Sequence, residues 1–120
     1  MKRETMVLRA KESVVEEFDW GKIYWFVSGK LGNSDKMTLG KCIIKPTCEN
    51  PRHRHPNCEE VLHVLSGKIM HYVEDKYFEM GPGDTITIPS NLLHSAKNIG
   101  TEDAILIIAF SSADRQTDGE

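Results

Sequence analysis

Short apolar segments separated by turn residues dominate this chain, and no long stretch has the periodicity of a helix. Segment 23–27 is aromatic and β-branched, and the Gly-Pro-Gly-Asp sequence at 81–84 is a strong turn signal. Short segments at such regular spacing predict an all-β sandwich or barrel rather than alternating strands and helices. The expected strands are residues 23–27, 37–45, 61–65, 68–73, 77–80, 85–88, 95–98 and 104–110.

The chain has 120 residues, which predicts one domain with one hydrophobic core over residues 1–120. Within it we expect a barrel core at about 37–110, N-terminal strands in 1–36 and a polar, frayed tail at 112–120. Residues 12–20 are the one segment whose pattern also suits a helix, because Val14, Val15 and Phe18 would share a side.

Charge and hydropathy exclude several classes of partner. The net charge is -3 and no cluster of five or more basic residues is present, so we expect no nucleic-acid partner. The longest apolar run, 104–110, is too short to span a bilayer. The first residues lack the apolar core of a secretory signal, and we expect a cytoplasmic protein without membrane attachment.

The cysteines do not suggest a disulfide framework. There are three of them, Cys42, Cys48 and Cys58, at irregular spacing, which predicts reduced thiols. Cys58 lies between His55 and Glu60, and this position makes it a candidate for an additional metal ligand.

Histidine spacing gives the main functional signal. Alternate residues of a strand face the same side, so His53 and His55 are expected to point into one space. The turn at 56–57 lets the chain bring Glu60 towards them, and His94 follows a later turn. Imidazole nitrogen and carboxylate oxygen are ligands that first-row transition metals take from proteins.

Two stretches of the chain resemble the two sequence motifs of the cupin family. The first runs over residues 53–67 and contains the His-x-His pair, the glutamate and a closing glycine, and the second runs over residues 83–98. The resemblance covers roughly residues 46–110. The matching positions are His53, His55, Glu60, Gly67, Gly83, Pro89, His94 and Asn98.

This resemblance implies a double-stranded β-helix, the jelly-roll barrel of that family, around one metal. Thr47 and Asn91 depart from the motifs, since the family usually has glycine at both places. Neither is a ligand position, and asparagine tolerates a left-handed backbone better than most residues. The implied metal ligands are His53, His55, Glu60 and His94.

Three imidazoles and one carboxylate can bind one divalent transition metal, namely iron, manganese, nickel, cobalt or zinc. The cupin family includes dioxygenases, isomerases and lyases as well as binding modules, so the resemblance names no reaction. We expect a metal-dependent enzyme acting on a small oxygen-rich substrate such as a sugar or hydroxy acid. The alternative is a non-catalytic small-ligand-binding or regulatory module. No catalytic residue is identifiable from the sequence.

Two further expectations concern residues outside the motif positions. His63 and His71 match no ligand position, and packing on a strand surface or in the core is their expected role.

An open-ended barrel also has exposed strand edges, which proteins usually cover or pair. We therefore expect a two-fold homodimer, with the segment around residues 6–8 adding to the partner's sheet.

Overall fold

The computed structural model describes residues 4–119, in which nearly all regular structure is β-strand. The strands are β1 Val14–Phe18, β2 Gly21–Val27, β3 Thr38–Ile44, β4 His53–Arg54, β5 Glu60–Ser66, β6 Ile69–Val73, β7 Lys76–Met80, β8 Thr85–Ile88, β9 His94–Asn98, β10 Ala104–Phe110 and β11 Asp118–Gly119. Within residues 4–119, no helix has the length and apolar character needed to cross a membrane.

The strands form two antiparallel sheets, which confirms the all-β prediction. The first sheet has six strands in the order β1-β2-β3-β10-β5-β8, and the second has five in the order β11-β4-β9-β6-β7. Buried side chains alternate with more exposed ones along β3 and β10, as expected for strands with one face on a core. Core residues come from both sheets, among them Ile44 and Leu106 of the first and Ile69 and Ala96 of the second.

The possible helix at 12–20 is wrong. Only Ala10–Glu12 forms a turn of 3-10 helix, and Val14–Phe18 is a strand that pairs with β2. A strand suits the two consecutive valines, whose β-branched side chains fit a pleated surface. A cross-strand hydrogen bond supports the hairpin, because Nε1 of Trp25 donates to Oε1 of Glu16 at 2.6 Å.

The frayed tail expected at 112–120 is also wrong for the part of it that the structure describes. Asp118–Gly119 pairs with His53–Arg54 as an outer strand of the second sheet. Upstream, the amide of Gly29 donates to the carbonyl of Ala113 at 2.8 Å, and the hydroxyl of Thr38 donates to the carbonyl of Ser112 at 2.7 Å. The partners lie far away in the sequence, so polar composition alone could not reveal this order.

The two departures from the motif glycines occupy the backbone conformation that glycine favours. Thr47 has a φ of 66° and Asn91 a φ of 70°, both in the left-handed region. The left-handed region is common for glycine, tolerated by asparagine and strained for a β-branched residue. The turn shapes are therefore kept while the residue types have changed, and Thr47 bears the larger strain.

Candidate metal centre

The four residues that the motifs single out come together between the two sheets. His53 begins β4 and His94 begins β9, and the two are direct partners across the strand pair. Glu60 begins β5 in the other sheet, and His55 follows β4. One potential ligand atom from each of the four lies within 4.8 Å of the others, so the cluster joins both sheets.

Backbone carbonyls fix the orientation of all three imidazoles. Nδ1 of His53 lies 2.6 Å from the carbonyl oxygen of Pro51, Nδ1 of His55 lies 2.9 Å from that of Gln116, and Nδ1 of His94 lies 2.9 Å from that of Leu92. A carbonyl oxygen only accepts, so each Nδ1 carries the proton and donates it. In a neutral ring this leaves the lone pair on Nε2, the arrangement found in metal-bound histidines. Nε2 of His94, which lies 3.0 Å from Oε1 of Glu60, has to give up the proton of that hydrogen bond before it can bind an ion.

Glu60 is the centre of the cluster. Its Oε1 lies 3.0 Å from Nε2 of His94 and 3.3 Å from Nε2 of His55. Nε2 of His55 is buried and has no partner with hydrogen-bond geometry among the described residues. A buried polar atom without a partner is unfavourable, and a cation among these lone pairs would satisfy it.

The electrostatics of the cluster favour a negative carboxylate and a bound cation. Burial alone would raise the pKa of Glu60, but His55 and His94 outweigh it and lower that pKa. Burial would likewise lower the pKa of His94, but the hydrogen bond and charge of Glu60 raise it. Burial lowers the pKa of His53 to about 4, so its imidazole is neutral at pH 7 and able to bind a metal.

The residues present fit a transition-metal ion. Ligand atoms on opposite sides of such an ion, each roughly 2.1 Å from it, are about 4.2 Å apart. The observed spread of 4.8 Å therefore needs only a small inward movement. Three nitrogens and one carboxylate oxygen suit divalent iron, manganese, cobalt, nickel and zinc.

The cluster forms one wall of a cavity inside the barrel. The cavity has a volume of about 270 Å³, a size that suits a small organic molecule. Trp25, Leu106, Ile108 and Phe110 contribute to its apolar part. Its polar part comes from the metal-ligand candidates together with Asn50, Arg52, His71, Arg115 and Thr117. Such a site can orient a small polar molecule against an ion while apolar side chains limit access of water.

His63 and His71 take different positions, and both fall outside the cluster. His71 is buried and lines the cavity, with its ring stacked 5.8 Å from that of His94, centroid to centroid. Packing was the expected role and agrees with this location, although sequence reasoning did not foresee its place on the cavity wall. His63 does not line the cavity, and its Nδ1 lies 2.7 Å from the hydroxyl oxygen of Thr85.

Cys58 does not join the ligand candidates. Its side chain is 4% exposed and packs in the hydrophobic core, and the cluster of potential ligand atoms does not include it. Burial raises the pKa of its thiol, which disfavours the thiolate that a metal needs. All three cysteines of the chain are free thiols.

Sequence reasoning missed the part of the site made by the C-terminal tail. Arg115, Thr117 and Gly119 line the cavity, and the carbonyl of Gln116 orients His55. Asn57 holds this tail: its side-chain amide donates to the carbonyl of Asp114 at 2.9 Å, and its side-chain oxygen accepts from the amide of Gln116 at 2.8 Å. An asparagine inside the first motif was the only local signal, and its distant partners are not encoded nearby.

The family model for the cupin domain matches residues 40–110, which is more than half of the chain. This chain is a cupin. Among curated relatives, a germin-like protein 3-8 of rice is 29% identical over 85 residues, covering 67% of this chain and 38% of the relative. An uncharacterized protein of Methanocaldococcus jannaschii is 32% identical over 65 residues, covering 54% of this chain and 52% of the relative. The cupin chain therefore spans about two fifths to half the length of these relatives.

Solved structures agree with the cupin jelly-roll fold. An oxalate decarboxylase of Lactobacillus farciminis in complex with formate superposes with a TM-score of 0.84 at 23% identity, covering 91% of this chain and 34% of that one. A Bacillus subtilis oxalate decarboxylase, described for its Mn(II) centres, gives 0.84 at 24% identity, covering 92% and 31%. These likenesses confirm the predicted fold class and leave the reaction open.

Proposed function

We propose that this cupin is a metal-dependent enzyme acting on a small oxygen-rich molecule, such as a sugar or hydroxy acid. In this proposal His53, His55, Glu60 and His94 bind one divalent transition metal. The observation that carries it is the preset orientation of three imidazoles, each held through Nδ1, around a buried carboxylate on a cavity wall. A purely structural role for the histidines gives no reason for burying Nε2 of His55 without a hydrogen bond, 3.3 Å from Oε1 of Glu60.

When bound, the ion would polarise and orient substrate oxygens. The protein contributes the surroundings. Phe110 packs its ring 5.0 Å from that of His55, centroid to centroid, and fixes the position of the imidazole from the core side. Leu106 and Ile108 extend the apolar wall, which limits the water that competes for the site. The Mn(II) centres named for the Bacillus subtilis oxalate decarboxylase make manganese the first ion to test.

A non-catalytic ligand-binding module is the alternative, and one observation favours it. Among the described residues that line the cavity, Glu60 is the only carboxylate, and in our proposal it is a metal ligand. Burial lowers the pKa of His71 to about 4, so its neutral imidazole is a weak base there. An enzyme working here would rely on the ion and its bound solvent for proton transfer.

Metal analysis of the purified protein tests the proposal directly. Protein prepared without added metal, and then supplied with manganese, iron, cobalt, nickel or zinc, is expected to bind about one equivalent of a divalent ion. Dioxygen-uptake, isomerase and lyase assays with hydroxy acids and sugars then separate an enzyme from a binding module. Metal content well below one equivalent for every ion supplied would refute the proposal.

We also propose a homodimer in the cytoplasm. All five residues of β1 are exposed, including Val14, Val15 and Phe18, and β1 is an outer strand of its sheet. An exposed apolar outer strand is a ready template for pairing with a second chain. The support for the cytoplasm is separate: the three free thiols suit a reducing compartment. Sedimentation that gives only a 13.6 kDa species at micromolar concentration would contradict the dimer.

A further inference from the structure

We propose that Arg115 binds a carboxylate group of the substrate, so that the site selects a small organic acid over a neutral sugar or diol. This inference rests on the proposed function, because it names the substrate class of the same cavity. It assigns a specificity role to a tail residue that lies outside both cupin motifs.

Arg115 reaches the cavity from the tail and lies over two aromatic rings. The central guanidinium carbon is 4.4 Å from the ring centroid of Trp25 and 5.1 Å from that of Phe110. The same Phe110 ring is the neighbour of His55, and Arg115 lines the cavity together with the metal-ligand candidates. The cluster and the guanidinium therefore line the same cavity.

Within residues 4–119 the guanidinium has no carboxylate at ion-pair distance, and the charges of Glu60 and Glu16 act on it from further away. Its one hydrogen bond is from Nη1 to the hydroxyl oxygen of Thr117 at 2.6 Å, and no Asp or Glu of that range forms an ion pair with it. The charge is retained in a protein, since an arginine does not lose its proton there. An aromatic ring stacked on a guanidinium covers one of its flat faces and leaves N–H groups at its edge available for a ligand.

A carboxylate is the ligand that best matches these edges. Two parallel N–H groups of a guanidinium can bind both oxygens of one carboxylate, a geometry that a neutral hydroxyl cannot reproduce. The surroundings also favour an anion, because a dipositive ion and Arg115 together outweigh the charge of Glu60. A hydroxy acid could place its hydroxyl oxygen towards the cluster and its carboxylate towards Arg115.

The tail is held in place on both sides of Arg115. The side chain of Asn57 forms hydrogen bonds with the carbonyl of Asp114 and the amide of Gln116, the residues immediately before and after Arg115. The carbonyl of Gln116 in turn accepts from His55. A preset position of this kind reduces the loss of side-chain freedom on binding, and this loss would otherwise weaken the interaction with a small ligand.

Calorimetric titration with glycolate, and with ethylene glycol as its uncharged counterpart, tests the inference. We expect metal-loaded protein to bind glycolate at least tenfold more tightly than ethylene glycol. Arg115→Gln should weaken glycolate binding by roughly 10- to 100-fold, as expected for loss of a charge-assisted pair, and leave ethylene glycol unchanged. Arg115→Lys should give an intermediate affinity, because lysine keeps the positive charge but lacks the two parallel N–H groups of the guanidinium. Arg9→Gln, at an exposed arginine away from the cavity, should behave as wild type.

Metal content and melting temperature are measured on the same samples. Unchanged glycolate affinity in a folded, metal-loaded Arg115→Gln protein would overturn the inference, and so would equal affinity of the wild type for the two probes. If Arg115→Gln does not fold, Arg115→Lys decides by the same comparison. If the wild type binds no metal, the proposed function fails. The carboxylate site is then tested alone, by comparing the glycolate affinity of chelator-treated wild type with that of chelator-treated Arg115→Gln.

Discussion

Gln116 orients His55 through its main chain. The carbonyl oxygen of Gln116 accepts a hydrogen bond from Nδ1 of His55 at 2.9 Å, although 61 positions separate the two in the sequence. The bond fixes which ring nitrogen faces Glu60, and it makes the C-terminal tail part of the support of the candidate metal centre.

Removing the side chain that holds the tail should weaken metal binding without touching a ligand. Asn57→Ala deletes hydrogen bonds to Asp114 and Gln116, so the carbonyl that orients His55 is no longer fixed. We expect metal affinity to fall roughly tenfold, in the range seen when the outer partners of metal ligands are lost. Competition with a chromogenic chelator measures it.

Asn33→Ala is the matched control for this substitution. The side chain of Asn33 also forms two hydrogen bonds to the main chain, donating to the carbonyl of Phe26 and accepting from the amide of Ser28. Unlike Asn57, it supports no residue of the cavity wall that we can identify, and it does not line the cavity itself. It should lower stability and leave metal affinity unchanged. Equal effects of the two substitutions on metal affinity would remove the proposed role of the tail.

Glu60→Gln should greatly reduce metal occupancy. The change keeps the size of the side chain and removes the only anionic member of the cluster, so a dipositive ion loses its charge neutralisation. Folding should survive because the core is built from apolar side chains of both sheets. Elemental analysis and circular dichroism report the two effects.

His63→Gln provides the comparison for Glu60→Gln, because His63 lies outside the cavity and contacts Thr85. Its metal content should equal that of the wild type. Full occupancy in Glu60→Gln combined with metal loss in His63→Gln would mean that the opposite face of the strand binds the ion.

Thr47→Gly should stabilise the protein. Thr47 is exposed and has a φ of 66°, a conformation that is strained for a β-branched side chain and easy for glycine. We expect a gain of roughly 1 kcal/mol in the free energy of unfolding, measured by urea denaturation. Asn91→Gly should gain less, since asparagine tolerates its φ of 70° better.

The control for Thr47→Gly is Thr101→Gly, at an exposed threonine that is not among the residues with positive φ. That substitution should destabilise the protein, because glycine adds freedom to the unfolded chain without relieving strain. A loss of stability at position 47 equal to that at 101 would contradict the account of the turn.

Metal-free protein should lose stability as the pH falls from about 6.5 towards 4. Burial lowers the pKa of His71 from 6.5 to about 4, so in this window the unfolded chain binds a proton that the folded protein does not. Stability is therefore complete above pH 6.5 and declines below it, by roughly 2 kcal/mol at pH 5 for this one group. His53 acts in the same direction, whereas His94, with its raised pKa, opposes it.

His71→Leu isolates this contribution, because leucine does not titrate and suits a buried position. Urea denaturation of chelator-treated protein at pH 7 and pH 5 should show a smaller difference for the variant than for the wild type. An identical difference in the two proteins would show that His71 does not titrate as described.

Sequence reasoning succeeded where residues close in the chain determine the outcome. His53 and His55 share a face because of strand alternation, and turn residues set the strand breaks at Gly67 and Gly83. It failed at Val14–Phe18, where a short apolar pattern suits either a helix or a strand and pairing with β2 decides. It also failed at Arg115, because only the folded chain shows that Asn57 holds the neighbouring residues beside the cavity.

The tail is anchored mainly through its main-chain atoms. Holding the tail in place therefore puts little constraint on which side chains it carries. Carbonyls of Ser112, Ala113, Asp114 and Gln116 accept the hydrogen bonds that attach it to the barrel. Main-chain bonds of this kind survive most side-chain changes, so residues 112–119 can drift while the wall they form stays in place. Descendants of this sequence could thus acquire new substrates by exchanging a few tail side chains, with the imidazoles and the carboxylate left as they are.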